Sequence, residues 1–384
     1  MAFGKKKPKG GLLLSENKLR AKYPMAGKAS DITATGTDTL CLPSRILPIN
    51  WQLGGGIYWG KILEIFGYES TGKSLIALDF AYTTQALGGI VLWGDHELCF
   101  TADWGIKNGL DMDRIELFQD ISIERFSDWQ MDFIIYWRSK LVNNEPILLV
   151  CDSTAALDCE ANLNTNQFDG KAEMGNRAKA IYKMLRIRNE LYHKYGVCVI
   201  YLNQVREKVG ASMFEESLTT PGGAALKFYA AGRLFLARGK QVKDKEGNKG
   251  VKVGQNVYVG IKKNKLAPPR PNIQTQVYFN ADYMGYVGYN KYMGLCDILE
   301  AEGILKKQGN SFYYTKKGEK VIVAKSRDKM EEVLGSNTEL RSLLIKRAGI
   351  NSVSQTQIKL DAITKNLYPV KGKKTKEETE ETEE

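Results

Sequence analysis

The segment that most constrains the fold is an eight-residue run, Gly67-Tyr68-Glu69-Ser70-Thr71-Gly72-Lys73-Ser74, which matches the pattern G-x-x-x-x-G-K-[ST]. An apolar run at 61–66 predicts a strand before it, and residues 73–87 predict a helix after it. Glycines in such a turn let successive backbone N–H groups point at phosphate oxygens. The lysine of this pattern reaches the β- and γ-phosphates, and the serine hydroxyl binds Mg²⁺. The run therefore predicts a site for ATP and Mg²⁺, and the alternative is a glycine-rich structural turn.

Apolar runs alternate with helical periodicity along the following two hundred residues. The predicted strands are 89–94, 147–151, 197–202, 233–237 and 257–262, and the longer predicted helices are 123–141 and 178–195. Continuous apolar strands separated by helices are typical of a mainly parallel sheet covered on both faces. The predicted fold class is therefore α/β, a nucleotide-binding core with a phosphate-binding loop and flanking helices.

The composition and the hydrophobic pattern change along the chain and predict four segments. Residues 1–45 are a basic N-terminal segment and a candidate polymerisation element, and residues 46–284 form the α/β core. Short helix and strand patterns predict a small α+β domain over 285–350. Residues 351–384 are a linker and a charged tail rich in Lys, Glu and Thr, whose composition cannot bury a core and predicts disorder.

The charge balance favours a polyanionic partner. Lys and Arg total 55 against 44 acidic residues, a net charge of +11, so nucleic acid is the first candidate and a solubilising surface the alternative. No apolar run is long enough to span a bilayer or form a signal-peptide core, which predicts a cytoplasmic protein with no membrane partner. The six cysteines form no Cys-x-x-Cys pair, so neither a structural zinc site nor a disulfide framework is expected.

Two carboxylates lie at the ends of predicted strands. Asp152 directly follows the apolar run 147–151, where an acid on the Mg²⁺ side of a nucleotide site belongs. The alternative is a helix N-cap, a role that suits both Asp152 and Ser153. Glu97 ends the segment 92–97, where a carboxylate could orient and deprotonate an attacking water. Taken alone, one exposed acid at a strand end carries little weight, because exposed acids are common.

Beyond the phosphate loop, four segments resemble the RecA family of bacterial recombinases and its phage relatives. They are GKILEIFGYES at 60–70, VIYLNQVREK at 199–208, TTPGGAALKFYA at 219–230 and KNKLAP at 263–268. Their order and spacing hold from about residue 40 to about residue 335, and the 219–230 segment is the most specific of them. The chain departs from the family at Tyr68, where the family usually has Pro, and at Ala224, where it has Asn. The 160–173 segment shares little with the family, the N-terminal segment is brief and the chain is basic, and a phage-encoded member would fit such divergence.

The resemblance implies roles around the nucleotide. Glu97 would be the catalytic base, acting with Lys73 and with Gln204, which would sense the γ-phosphate and signal to the loop that follows it. Trp104 falls where the family places an aromatic ring against adenine, although by periodicity alone it is more often a packing residue. Lys263 and Lys265 would reach across a subunit interface to a neighbour's ATP, so the site would be completed in a filament.

The resemblance also implies two DNA-binding loops, at about 160–174 and 205–221, the second disordered until it meets single-stranded DNA. The residues expected at DNA are Met174, Arg206, Lys208, Phe214, Gly222 and Gly223. Arg206 and Lys208 suit phosphate contacts, and their alternative is an ordinary solvated loop.

These expectations lead to one main hypothesis and two alternatives. The main hypothesis is a DNA-dependent ATPase that forms helical filaments on single-stranded DNA and exchanges strands with a homologous duplex in recombination and repair. The first alternative is an ATP-controlled filament or mediator on single-stranded DNA without strand exchange. The second is a hexameric motor such as a helicase, which shares this core fold, although the Gly222–Tyr229 stretch and the C-terminal domain argue against it.

Overall fold

The computed structural model describes residues 40–165, 170–207, 218–244, 250–279 and 287–352, together with 355–357 and 359. The predicted N-terminal polymerisation element lies almost entirely outside the described residues, and so does the predicted charged tail.

The strands of the described chain are, in order, β1 (Cys41–Leu42), β2 (Ile57–Tyr58), β3 (Ile62–Gly67), β4 (Ile90–Asp95), β5 (Ile115–Phe118), β6 (Ile147–Asp152), β7 (Val197–Gln204), β8 (Arg206–Glu207), β9 (Leu218–Thr219), β10 (Gly232–Lys243), β11 (Lys252–Asn264), β12 (Ile273–Tyr278), β13 (Gly288–Tyr289), β14 (Lys306–Gln308), β15 (Ser311–Lys316) and β16 (Glu319–Ala324). The helices are α1 (Leu47–Leu53), α2 (Lys73–Ala86), α3 (Ala102–Lys107), α4 (Ile123–Lys140), α5 (Glu160–Leu163), α6 (Gly170–Lys194), α7 (Ala225–Tyr229), α8 (Leu295–Ala301), α9 (Arg327–Ser336) and α10 (Thr338–Arg347), with a 3₁₀ turn at Met112–Arg114.

The large central sheet has nine strands in the order β13-β12-β11-β10-β3-β7-β6-β4-β5. The six strands from β10 to β5 run parallel to one another, whereas β11, β12 and β13 extend the sheet in antiparallel fashion. The α/β class with a mainly parallel sheet is therefore confirmed. The carboxyl ends of β3, β4, β6 and β7 meet at one edge of the sheet, which is where ligands bind in folds of this kind.

The parallel strands are apolar on both faces because helices cover both sides. In β6, Leu148 and Val150 pack into one apolar cluster while Ile147, Leu149 and Cys151 pack into the other. All five side chains are fully buried. Such strands produce the continuous apolar runs that predicted them, since alternation appears only when one face meets water.

The antiparallel extension is longer than the sequence predicted. The run 233–237 lies in the first half of β10, and the run 257–262 lies in the middle and second half of β11. These strands extend over twelve and thirteen residues. The second half of β10, from residue 238 on, consists of exposed and half-buried residues, including the exposed Lys240. Polar residues on the open face of a hairpin interrupt the apolar signal, although the backbone pairing continues.

The C-terminal part combines a three-stranded antiparallel sheet, β14-β15-β16, with helices α8, α9 and α10. This α+β composition agrees with the sequence-based prediction. Leu295, Phe312 and Leu344 of this part belong to the same buried apolar cluster as Leu63 and Ile76 near the phosphate loop. One apolar cluster therefore continues from the larger sheet into the C-terminal part.

Polar contacts reinforce this junction at α1. The Trp51 indole N–H donates to Glu302 Oε1 at 2.5 Å. The Asn50 side chain donates to the Asn351 carbonyl oxygen at 3.1 Å. Among the described residues, no helix is both long and apolar enough to cross a membrane.

Candidate functional site: a phosphate loop at the carboxyl edge of the sheet

The predicted phosphate loop connects β3 to α2, as the sequence indicated. Gly67 is the last residue of β3, and a Cβ there would lie 2.2 Å from the Leu236 carbonyl oxygen of β10, so only glycine fits. Gly72 has φ +79°, a left-handed conformation that glycine adopts without strain, and α2 begins at the next residue. The loop therefore ends at a helix N-terminus, whose N–H groups suit an anion.

Lys73 holds its ammonium group against the backbone of the loop. Its Nζ donates to the Tyr68 carbonyl oxygen at 2.8 Å and to the Gly67 carbonyl oxygen at 3.3 Å. Burial lowers the pKa of Lys73, while the nearby charges of Asp152 and Glu97 raise it. The cation is thus enclosed by the loop and faces the acidic side of the site.

Three further side chains donate hydrogen bonds to the carbonyl oxygens of the loop. The buried Tyr289 hydroxyl donates to the Thr71 oxygen at 2.5 Å, and the Thr71 hydroxyl donates to the Tyr68 oxygen at 2.8 Å. Arg238 Nε donates to the Glu69 oxygen at 2.7 Å. Sequence reasoning missed Tyr289 and Arg238, because they lie 218 and 169 residues from their partners along the chain. No local pattern could have found them.

Asp152 ends β6 beside the loop and faces Ser74. Burial raises the pKa of the Asp152 carboxyl to about 7, although a hydrogen bond with Ser74 and the charge of Lys73 both lower it. The N-cap alternative for Asp152 and Ser153 is wrong, since a turn follows β6 and the next helix begins only at Glu160. A bound cation would stabilise the ionised form of this buried carboxyl group. Asp152 and Ser74 therefore offer oxygen ligands that suit Mg²⁺.

The donor set also fits the way Mg²⁺ binds at nucleotide sites. Among the described residues, no group of three or more His, Cys, Asp or Glu side chains is placed to hold a metal ion. Mg²⁺ at such sites takes only one or two protein oxygens, and phosphate oxygens and water supply the rest. The Ser74 and Asp152 pair therefore remains a prediction that the donor chemistry suits.

Glu97 lies just beyond β4 and is exposed. The Ser153 hydroxyl donates a short hydrogen bond to Glu97 Oε1. The buried Asp95 carboxylate fixes the same segment by accepting from the backbone N–H groups of Cys99 and Phe100, each at 3.0 Å. The carboxylate of Glu97 is thus oriented by a hydroxyl from the end of the neighbouring strand β6.

A cavity of ≈ 400 Å³ opens between the phosphate loop and α3, a volume suited to a small-molecule ligand. Its lining combines residues predicted from the sequence with others that were not, namely Ser74, Glu97, Cys99, Phe100, Thr101, Trp104 and Asp152. Thr101 caps α3 by accepting from the Trp104 backbone N–H at 3.3 Å, which sets the start of this helix. The aromatic lining of the cavity suits a base, so the proposed role of Trp104 at adenine stays a prediction.

Gln204 lies at the end of β7, the strand between β3 and β6 in the sheet. It is the last residue of β7 and is paired in register with Gly67 of β3. The Val205 backbone N–H donates to the Gly67 oxygen at 3.3 Å. A side chain at this strand end is therefore next to the loop that would hold the phosphates, and its sensing role stays a prediction.

Lys263 and Lys265 are absent from the cavity lining of their own chain. Lys263 lies on β11, and its Nζ donates to the carbonyl oxygens of Lys227 at 2.6 Å and Phe228 at 3.0 Å. The Lys265 backbone N–H donates to the Ala231 oxygen at 2.9 Å. Their predicted role toward the ATP of a neighbouring subunit is neither supported nor contradicted by these contacts.

The segment 205–221 was expected to be one disordered loop, and its described residues include a short antiparallel ladder. Arg206 of β8 pairs antiparallel with Thr219 of β9, which brings the two ends together. Gly222 and Gly223 follow in a turn with φ of +89° and +69°. The predicted DNA contacts at Lys208 and Phe214 lie outside the described residues.

Part of the first predicted DNA loop is helical. Helix α5 occupies Glu160–Leu163, and α6 begins at Gly170 rather than at residue 178. Met174 therefore lies on a helix, not at the end of a loop, and it is 66% exposed. Ala172, Glu173 and Met174 are good helix formers, and the glycines at 170 and 175 had masked their contribution.

Comparison with known proteins gives a consistent result. The model of the RecA N-terminal domain matches residues 28–283. Protein RecA of Tropheryma whipplei is 34% identical over 274 residues, which cover 71% of this chain and 58% of that protein. Protein RecA of Thermotoga maritima is 32% identical over 84% of this chain and 86% of its own, and that of Mycoplasmopsis pulmonis is 34% identical over 76% and 79%. The chain therefore belongs to the RecA family.

Proposed function

We propose that this chain is an ATP-dependent recombinase that forms a filament on single-stranded DNA and pairs it with a homologous duplex. The observation that carries the proposal is one edge of the sheet, where the phosphate loop, Glu97, Asp152 and Gln204 meet. Gln204 leads within two residues into the β8–β9 ladder at the base of the predicted DNA loop. A nucleotide site and a DNA loop that share one strand end are suited to controlling each other.

The residues divide the work of ATP hydrolysis as follows. Backbone N–H groups of the loop and Lys73 bind the phosphates. Glu97, oriented by Ser153, accepts a proton from the attacking water as the bond from the γ-phosphorus to the leaving oxygen breaks. Mg²⁺ bound by Ser74 and Asp152 would neutralise charge on the phosphate oxygens. Gln204 would register the presence of the γ-phosphate, and Arg206 would contact DNA phosphate.

The first test measures ATP hydrolysis by the full chain with and without single-stranded DNA. Turnover should rise steeply with DNA, since the loop and the nucleotide site are coupled. Equal turnover in both conditions would contradict the proposal. A joint-molecule assay with homologous duplex then separates a recombinase, which yields paired products, from an ATP-controlled filament that yields none.

Glu97→Gln tests the chemical step. A side-chain amide keeps an acceptor for the Ser153 hydroxyl but cannot take a proton, so turnover should fall about 10²–10⁴-fold. The variant should hold its DNA filament longer, because slower hydrolysis prolongs the ATP-bound state that holds DNA. Glu339→Gln, at an exposed position of α10, is the matched control and should leave both measurements unchanged. A Glu97→Gln protein with wild-type turnover would exclude Glu97 as the base.

A further inference from the structure

Asn203 is a fully buried residue whose side-chain amide lies between Gln204, at the proposed nucleotide site, and Pro221, at the end of the predicted DNA loop. It is the penultimate residue of β7 and has no exposed surface. Its Oδ1 accepts from the backbone N–H of Gln204 at 3.0 Å. Its Nδ2 donates to Glu64 Oε1 at 3.1 Å and to the Pro221 carbonyl oxygen at 3.1 Å. One side chain therefore joins Gln204, the core of the sheet and the end of the predicted DNA loop.

Glu64 gives this amide a fixed anchor. The Glu64 side chain is fully buried in β3, and its second oxygen accepts from Arg233 Nε at 2.5 Å. The Arg233 guanidinium also lies over the Phe66 ring, 4.4 Å from its centroid. Removing either member of a buried ion pair strongly destabilises the fold, because the other charge is left buried without a partner. The anchor spans three adjacent strands, β10, β3 and β7.

The amide of Asn203 has no freedom to rotate. Both of its N–H groups and its oxygen are used, and each partner comes from a different segment. Rotation would leave at least one of these buried groups without a partner, which is costly in a dry interior. A shift of the Gln204 backbone therefore moves either the amide or the hydrogen bond to Pro221.

The segment at the far end of this contact is suited to respond. Pro221 begins the turn that continues through Gly222 and Gly223, both with positive φ. The turn lies between the β8–β9 ladder and α7. Glycines in this conformation permit close approach of a ligand backbone, so a displacement of Pro221 would be felt where DNA is proposed to bind.

We propose that Asn203 is the positioning residue that transmits nucleotide state from Gln204 to the Pro221 turn, and so sets the affinity for single-stranded DNA. The inference rests on the proposed function. It assigns the coupling to one amide anchored on Glu64 and Arg233. The same amide must carry the effect in both directions, because coupling between two binding sites is reciprocal.

The test compares two dissociation constants for a single-stranded oligonucleotide, one with ADP and one with a non-hydrolysable ATP analogue. In the wild-type chain their ratio should be at least about fivefold, the lower end for coupled sites. In Asn203→Ala the ratio should fall towards one. The affinity gained for the ATP analogue when DNA is added should fall by the same factor.

Asn50→Ala is the matched control. Asn50 is also fully buried and uses its amide in three hydrogen bonds, two with the Ser44 backbone and one with the Asn351 oxygen. It lies outside the nucleotide cavity and the Pro221 turn. Both variants should lose thermal stability, but only Asn203→Ala should lose coupling, which separates transmission from general destabilisation.

The outcomes separate a failure of the proposed function from a failure of the proposed role of Asn203. A wild-type ratio of one refutes the proposed function and the inference with it. A wild-type ratio above about five with the same ratio in Asn203→Ala overturns the inference alone. If Asn203→Ala does not fold, hydrogen exchange in the wild-type chain decides. The ATP analogue without DNA should change exchange at 219–224, and unchanged exchange there overturns the inference.

Discussion

The Tyr289 hydroxyl offers a direct test of how the phosphate loop is held in place. Tyr289 is 4% exposed, and its hydroxyl donates to the Thr71 carbonyl oxygen at 2.5 Å. Burial raises the pKa of Tyr289, so the group remains a donor at every working pH. Tyr289→Phe removes this donor and leaves a buried carbonyl oxygen without that partner, which costs about 1–3 kcal/mol.

The energetic cost of removing this hydrogen bond should appear partly in the stability of the fold and partly in the binding of ATP. Part of it lowers the free energy of unfolding, and part appears when ATP must order a loop that is no longer braced. If about 1.4 kcal/mol falls on the binding step, the dissociation constant for ATP rises about tenfold. A titration with a fluorescent ATP analogue and a urea denaturation curve measure the two parts separately.

Tyr192→Phe provides the control for this experiment. Tyr192 is also fully buried, and its hydroxyl bonds to Gln130 and Tyr201 in the opposite apolar cluster, away from the loop. This variant should lose comparable stability and bind ATP as the wild type does. If Tyr289→Phe also binds ATP with wild-type affinity, the hydroxyl does not position the loop and the reasoning is refuted.

Two further predictions concern the same edge of the sheet. Gly67→Ala would place a Cβ 2.2 Å from the Leu236 oxygen and should lower the free energy of unfolding by about 1–3 kcal/mol or more in denaturant titration. Gly175→Ala, where a Cβ meets nothing within 4 Å on α6, should be neutral or stabilising, and equal losses in both variants would refute the close-approach argument. For pH, the raised pKa of about 7 keeps a proton on Asp152 below that value, and Mg²⁺ must displace it. The Mg²⁺-dependent part of nucleotide affinity should therefore weaken as pH falls from about 8 to about 6. Asp152→Asn should abolish this dependence in the same titration, and an unchanged pH profile would show that another group titrates.

Much of the parallel sheet could be predicted because its strands are buried on both faces. The run 147–151 differs from β6 by one residue, and the predicted run 61–66 from β3 by one at each end. Helix α6 and the long hairpin β10–β11 were predicted too short. Glycines at one end of α6 and polar residues along the open face of the hairpin hide elements whose stability comes from tertiary packing.

The candidate site was predictable where function places a residue at a strand end. Asp152, Glu97 and Gln204 lie at one edge because parallel strands end together, and Ser74 lies beside them at the start of α2. The supporting contacts were not predictable, since Tyr289 and Asn203 act on partners that only the fold brings near. Asn203 illustrates the limit, because its position beside Gln204 was visible while its bonds to Glu64 and Pro221 were not.

The C-terminal sheet and the phosphate-loop sheet share one apolar cluster, which determines whether either part can fold without the other. A chain cut near the start of α8 would remove Leu295, Phe312 and Leu344 from the apolar cluster that they share with the larger sheet, and would remove the acceptor of the Trp51 indole. We expect such a fragment to aggregate rather than to behave as a minimal ATPase. Exchange of this region between relatives would likewise require matching changes on α1. We therefore expect that the C-terminal region cannot be exchanged independently of the nucleotide core.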